Sequence, residues 1–384
     1  MIRVAIFTST RSDMSYLRPL IEKMEKAPKI QPMLFVGGTH LIKEFGNTLG
    51  EIKKSKIKIT GYFDYYYLGN TKYSLAKSLT NAHEKIAKIF KKFHFDIVCV
   101  MGDRFEKLAE VNNAILFNKP IIHLFGGEKT EGVIDEQVRH MITKASHLHF
   151  VTCKEYKKNL LNMGEQEFRV HQSGSLTIDS IKNIKKISQK RLFKKFKLNY
   201  IKPVGILTYH PVALENKIST LQQIKNIFNA LSEYDMQFIV TAPGHEYGRD
   251  KIDNFIKKIS EKNTKFFYVK SLGFENLFNL IPHCKFVIGN SSSGIVEVPY
   301  FKIPTINIGD RQKGRIFHKS IISCGYTSNE IKKSLNKALS LDFINKIKKM
   351  NYKFGNGNAS NKIVKVIKKI RLDEKFLRKK LISN

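Results

Sequence analysis

The chain has 384 residues, 42% of them hydrophobic, and carries 67 Lys and Arg against 33 Asp and Glu, a formal net charge of +34. That length exceeds what one growing core usually fills, so two domains are expected. No run of about 18 consecutive apolar residues is present, which excludes a chain built on membrane-spanning helices. The positive excess alone does not make a nucleic-acid-binding protein. Lysines in KNIKKISQKRLFKKFK and KIVKVIKKIRLDEKFLRKK alternate with apolar residues at helical spacing, as on solvated faces of amphipathic helices. No nucleic-acid or membrane partner is therefore expected, although the positive field would draw in a phosphorylated small substrate.

In chain order, MIRVAIFTSTR enters a strand at once, with no signal-peptide pattern, so a cytoplasmic location is expected. A helix from about Tyr16 to Ala27 follows, and then PMLFVGG, DIVCVMG, PIIHLFGG and LHFVT read as buried strands separated by helical or loop segments. The lysine-rich stretch after Leu176 reads as a helix and linker. A second series of short apolar strands then begins: PVGILTYH, FIVTAPG, TKFFYVKS, KFVIGN and PTINIG. Such alternation implies parallel sheets covered on both faces. The expected fold class is α/β, two doubly wound Rossmann-like domains with the active site in the cleft between them. The boundaries are 1–178, 179–356 and a C-terminal helix over 357–384 that packs back on the first domain. Cys99, Cys153, Cys284 and Cys324 are scattered with no CxxC pair, so buried free thiols are expected and no disulfide or metal site.

Chemically capable groups collect at strand ends, where ligands bind in open α/β sheets. Arg11 lies in the first strand-to-helix turn with Ser15 four residues on, and a guanidinium there presents a fork of donors to phosphate. Neither GxGxxG nor GxxxxGK[ST] occurs. Asp103 and Arg104 follow DIVCVMG; Asp103 serves either as a base or sugar ligand in the crevice or as a cap of the next helix. In HLFGGEKTEGVIDEQVRH, Glu128 follows two glycines and Asp135 opens a helix seven residues later. Paired carboxylates in different environments suit proton abstraction and return. The alternative pairs Asp135 with Arg139 as an N-terminal helix charge. His210 ends GILTYHP as a phosphate donor or acid, or as a packed histidine. His40 in GGTHL is a weaker candidate, and His147 and His149 read as strand residues and not as a metal pair. GNSSSGIVEVP places Ser291 and Ser292 at a helix N-terminus, with donors and dipole suited to a pyrophosphate, or else Asn290 or Ser291 simply caps the helix. Glu297 sits about one and a half turns in, within reach of a sugar hydroxyl. NIGDRQKGR puts Arg311, Lys313 and Arg315 in a loop suited to clamp phosphate or ribose.

GDR, GGEKTEGVIDEQVRH, SHLHF, YHP, GNSSSGIVEVP and NIGDRQKGR, in that order over almost the whole chain, resemble the hydrolysing nucleotide-sugar 2-epimerases of sialic and legionaminic acid synthesis. These are related to the non-hydrolysing UDP-N-acetylglucosamine 2-epimerases. The resemblance implies the GT-B arrangement and a reaction through a glycal, with no metal or redox cofactor. It implies catalytic roles for Asp103, Glu128, Asp135 and His210. It also implies nucleotide contacts from Arg11, Ser15, Arg104, His210, Ser291, Ser292, Glu297 and Arg311. The expected substrate is UDP-N-acetylglucosamine, released as N-acetylmannosamine. The alternative donor is UDP- or GDP-N,N'-diacetylbacillosamine, and a GT-B glycosyltransferase is the reading outside the class. A homo-oligomer, dimer or tetramer, is the expected assembly. The loop TAPGHEYGRD, with Gly244, His245 and Glu246, departs from the family pattern and leaves the UDP or GDP carrier open.

Overall fold

The computed structural model describes residues 1–42, 48–69, 71–131, 133–212, 218–243, 249–380 and 382. It divides into two compact units. The first comprises Met1–Glu128, Ile134–Asn183 and Phe354–Asn384, and the second Lys129–Val133 and Ile184–Lys353. Among the described residues no helix is long and apolar enough to cross a membrane.

The first unit is built on a seven-stranded parallel sheet: β1 (Ile2–Thr8), β2 (Ile30–Gly37), β3 (Ile59–Phe63), β4 (Ile97–Met101), β5 (Ile121–Leu124), β6 (Leu148–Val151) and β7 (Val170–Gln172). Their spatial order is β3-β2-β1-β4-β5-β6-β7. Side chains alternate across β1. Val4 and Ile6 pack with Leu17, Leu20, Ile21 and Met24 of the helix Arg11–Glu25, while Ala5 and Phe7 face Ala82, Ile86 and Phe90 of the helix Lys72–Lys92. The inner strands are covered on both sides, which explains why they read as apolar runs.

The second unit repeats the plan with six parallel strands: β8 (Val204–Thr208), β9 (Gln237–Thr241), β10 (Phe266–Val269), β11 (Phe286–Gly289), β12 (Thr305–Ile308) and β13 (Ile321–Cys324), in the order β10-β9-β8-β11-β12-β13. In each sheet the strand order turns about one adjacent pair, β1 with β4 and β8 with β11. The crevice at such a reversal is where doubly wound sheets bind ligands. The first unit thus presents there the turn after β1, with Arg11, and the loop after β4, with Asp103. The second presents His210 after β8 and Asn290–Ser292 after β11.

Two sequence expectations need correction. The first helix begins at Arg11, not near Tyr16, because Thr10 caps it by accepting the Asp13 N–H. The stretch after Leu176 holds two helices, Leu176–Asn183 and Gln189–Lys195. Strands β3, β7 and β13 were not anticipated. All three are edge strands with mixed burial, so they lack a continuous apolar signature. Three of the four cysteines are buried and Cys324 is half-buried, all as free thiols.

The C-terminal segment is part of the first unit. Its helix Ala359–Ile367 places Ala359, Ile363, Val364 and Ile367 in the same core cluster as the helix Arg11–Glu25. Asp179 caps it from a distance, accepting the Ala359 and Ser360 N–H groups at 3.0 and 2.8 Å. Farther on, the buried guanidinium of Arg169 donates to the carbonyls of Phe376 at 2.8 Å and Lys375 at 3.1 Å. Glu165, its side chain wholly buried, receives Lys144 at 3.0 Å, Lys379 at 2.8 Å and His149 at 3.1 Å. Burial alone would raise that carboxyl, but the bonds from His149 and Lys379 outweigh it and hold it at about 2. A depressed carboxyl stabilises the fold above its unfolded value and ceases to do so as pH falls through its folded value. Replacing Glu165 with Gln should therefore cost about 3–5 kcal/mol in urea unfolding at pH 7. The cost should shrink as pH falls from about 4.5 toward 2, and an unchanged stability at pH 7 would refute this role.

Candidate active site

In the first unit, Gly102 turns the chain out of β4 with φ +77°, a region open to glycine at no steric cost. Asp103 comes next. Arg139, in the helix Asp135–Ala145, has a fully buried side chain. Its Nε donates to Asp103 Oδ2 at 3.0 Å and its Nη2 contacts the same oxygen. Nη1 donates to the Glu128 carbonyl at 2.9 Å and to Glu136 Oε2 at 2.7 Å. One guanidinium thus joins the loops after β4 and β5. Arg139, the alternative partner of Asp135, binds Asp103, Glu136 and the Glu128 carbonyl. The capping alternative for Asp103 also fails, because the next helix starts at Lys107.

His123, wholly buried in β5, fixes the carbonyl just before Asp103, its Nε2 lying 3.0 Å from Gly102 O. A carbonyl only accepts, so Nε2 carries the proton and Nδ1 accepts from the Thr143 hydroxyl at 3.2 Å. Burial, with His149 nearby, pushes this imidazole down to about 3, so it is neutral. Phe125 follows β5 with φ 70°, an unusual backbone state for a bulky residue, two residues before Gly127, whose φ of 78° suits glycine. Asp135 stands half-buried at the start of its helix. Burial first, and then the charge of Asp103, raise its carboxyl above the ordinary carboxylate range. The unit therefore holds two carboxyl groups in different surroundings: Asp103, bonded to a buried guanidinium, and Asp135, half-buried and raised by that burial and by the Asp103 charge.

Arg11 is the first residue of its helix and donates to Glu51 at 2.7 Å, both side chains being well exposed. Ser15 turns its hydroxyl back to the Arg11 carbonyl at 2.9 Å. Arg104 donates to the buried Glu106 at 2.6 Å. Beneath these loops lies a group of buried charges that sequence reasoning did not single out. Asp13 is 3% exposed, Lys107 0% and Glu110 1%. Lys107 Nζ lies 3.5 Å from Asp13, 2.9 Å from Glu110 and 3.3 Å from the Phe7 carbonyl. Burial would raise the Asp13 carboxyl, but Lys107, Arg104 and bonds from Ser9 and Thr10 bring it below the ordinary range. Burial pushes Glu110 up to about 8 against the pull of Lys107. A helical Lys-x-x-Glu spacing was the available signal, and it looks the same on a solvated face.

His40 is packed between Thr8 and Thr48 hydroxyls at 2.9 and 3.0 Å, and burial lowers it to about 4. His149 lies in β6 and His147 just before it. A carboxylate does reach His149, from Glu165, although spacing gave no hint of it. Among the described residues no cluster of three or more His, Cys, Asp or Glu could hold a metal.

In the second unit, β8 and β11 approach so closely at Gly289 that a Cβ there would lie 1.9 Å from the Thr208 carbonyl oxygen. Only glycine fits. The next residue, Asn290, is 1% exposed and binds His210 twice, accepting its N–H and donating to its carbonyl, both at 2.8 Å. Its own carbonyl accepts Arg311 Nη1 at 3.2 Å and Gln312 Nε2 at 2.9 Å. Asn290 thus gathers the ends of β8, β11 and β12, and with them His210, Ser291 and Arg311. Ser291 stands at the N-cap of a short helix, Ser292–Val296, but makes no side-chain capping bond, so the simple cap reading does not hold. Glu297 ends that helix and is 2% exposed. A recess of about 520 Å³ opens beyond β12 and β13, with Lys313 and Arg315 in its lining. Gly244, His245 and Glu246 lie outside the described residues.

Residues 22–368 match the UDP-N-acetylglucosamine 2-epimerase family model, and the chain belongs to that family. It is 36% identical to the GDP/UDP-N,N'-diacetylbacillosamine 2-epimerase (hydrolyzing) of Campylobacter jejuni, over 97% of this chain and 96% of that protein. It is 31% identical to the polysialic acid biosynthesis protein P7 of Escherichia coli, over 96% and 94%. Among solved structures, UDP-GlcNAc 2-epimerase from Neisseria meningitidis bound to UDP-GlcNAc superposes with a TM-score of 0.81 at 18% identity, covering 96% of this chain and 99% of that one. The match gives the fold: two α/β units of the GT-B type.

If the Asp103 charge helps to raise Asp135, then Asp103→Asn should bring the Asp135 carboxyl down toward the ordinary range. Carbon-13 NMR of labelled carboxyl groups, with Asp135→Asn to assign the signal, reads this directly. A titration unmoved by Asp103→Asn would contradict the coupling.

Proposed function

We propose that the chain is a hydrolysing nucleotide-sugar 2-epimerase. The observation that carries this is the buried guanidinium of Arg139, which ties Asp103 and the Glu128 backbone to the helix that Asp135 opens and so gathers three carboxyl-bearing residues on one rim. Removing and returning a proton requires one carboxylate and one carboxylic acid at working pH. In this reading a base takes the proton from carbon 2 of a 2-acetamido sugar, and the carbon 1–oxygen bond to the nucleoside diphosphate breaks to give a glycal. Water then adds its hydroxyl at carbon 1 while carbon 2 receives a proton on the opposite face. The products are the nucleoside diphosphate and a free sugar inverted at carbon 2.

Asp103 or Glu128 takes the role of base, and Asp135 delivers the proton. In the second unit His210, Ser291, Ser292 and Arg311 hold the diphosphate, with Glu297 on the ribose; in the first unit Arg11, Ser15 and Arg104 are the groups suited to bind nucleotide. The names of relatives support the substrate class. The Campylobacter protein at 36% identity and a Legionella pneumophila protein at 31% are both named for diacetylbacillosamine. A Neisseria meningitidis protein, also 31% identical, is named UDP-N-acetylglucosamine 2-epimerase, so UDP-N-acetylglucosamine and the 2,4-diacetamido-2,4,6-trideoxy donor are the two donors to test. The reading extends to a cytoplasmic homo-oligomer, dimer or tetramer, which sedimentation velocity would reveal.

Glu128→Gln and Asp135→Asn should fold normally and release nucleotide from the donor about 100- to 10,000-fold more slowly than the wild type. Wild-type rates in both would remove these residues from the chemistry. Arg311→Ala should chiefly weaken UDP binding measured by calorimetry, by about tenfold or more, the scale of a lost charge-assisted bond. Undiminished affinity would detach Arg311 from the nucleotide.

A further inference from the structure

The buried group around Lys107 has no part in the reaction just described, yet it lies beneath the two loops that the first unit presents at its switch point. An ammonium has three N–H donors, and here each faces an acceptor: the Phe7 carbonyl on β1, Glu110 on its own helix, and Asp13 on the helix that follows β1. Asp13 in turn shapes the turn between β1 and that helix. Its Oδ2 accepts the Ser9 N–H at 3.0 Å and its Oδ1 accepts the Thr10 hydroxyl at 2.8 Å. The same turn is held from β2's side by Thr39, which donates to the Ser9 carbonyl through its N–H at 2.9 Å and its hydroxyl at 3.0 Å. Arg11 directly follows this turn, while Lys107 directly follows the loop that carries Asp103 and Arg104.

We propose that Lys107 and Asp13 form a buried ion pair that positions the Arg11 turn against the Asp103–Arg104 loop, so that the first unit offers its phosphate-binding and proton-transferring groups in register. Both are positioning residues; neither touches substrate. The inference rests on the epimerase reading for the meaning of those two loops. Packing alone gives no reason to bury an ammonium here. An apolar side chain of similar length would fill the space without the desolvation cost, and buried pairs replaced by apolar groups are often no less stable. A charge at this place does what an apolar chain cannot: it specifies, through directional bonds, where the Ser9–Arg11 backbone lies.

The test separates positioning from stability. Lys107→Met alone strands the Asp13 charge and should lower the melting temperature markedly. Adding Asp13→Asn removes the stranded charge, and the double variant should recover much of that loss. Its affinity for UDP or GDP by calorimetry should nevertheless stay about tenfold or more below wild type, and kcat on the donor should be lower by at least a similar factor. A double variant that regains both stability and wild-type nucleotide binding and turnover would overturn the proposal, as would a wild-type protein that binds neither nucleotide. Should the double variant not fold, Asp13→Asn alone leaves Lys107 with Glu110, and its nucleotide affinity must fall severalfold for the proposal to stand. A wild type that binds UDP or GDP but releases no sugar from any donor would count against the epimerase reading only. The calorimetry would then still decide the role of the pair.

Discussion

The guanidinium of Arg139 has no access to water, and a buried charge of that kind persists only if each of its donors is met from within the fold. That requirement shapes the first unit's rim. The helix carrying Arg139 must start where it does, at Asp135, so that the side chain reaches Asp103 beyond β4 and the Glu128 carbonyl beyond β5. His123 holds the carbonyl before Asp103 as a neutral donor, and Gly102 supplies the backbone state that lets the chain turn there. The differing surroundings of Asp103 and Asp135 follow from the same arrangement. One is bound to the cation, and the other is crowded by burial and by the charge of the first.

The second unit solves the same problem with a neutral group. A single amide, that of Asn290, bridges the backbone at His210, while its main-chain carbonyl receives Arg311 and Gln312. Hydrogen bonds of this kind fix direction without the desolvation cost of an ion pair. Each unit therefore immobilises the loops at its own strand reversal, one by buried charge and one by a buried amide.

Much of the fold was legible in the sequence because strands covered on both faces are apolar runs; β1, β2, β4, β5, β6, β8, β9, β11 and β12 announce themselves this way, and the edge strand β10 does so through its aromatic FFYV. The edge strands β3, β7 and β13 do not, since one side of each is only partly covered. Among site residues, Asp103, Glu128, Asp135, His210, Ser291 and Arg311 stood out by their place after a strand. Their supports did not. Arg139 read as a helix-surface partner of Asp135, His123 as one more strand residue, Asn290 as a cap, and Lys107 as one lysine among many. The roles of these four depend on contacts between segments far apart in the chain, and no local period encodes such contacts. The composition misled in one respect: against a background of so many solvated lysines, the buried one was invisible.

The central claim is best tested by proton NMR of the purified protein in deuterated water, with UDP-N-acetylglucosamine and, separately, with the 2,4-diacetamido-2,4,6-trideoxy donor on UDP and GDP. Free nucleotide should appear together with a manno-configured sugar bearing deuterium at carbon 2, and the donor consumed fastest identifies the substrate. Retention of the original hydrogen at carbon 2 in the released sugar, or donors that all remain intact, would contradict the account.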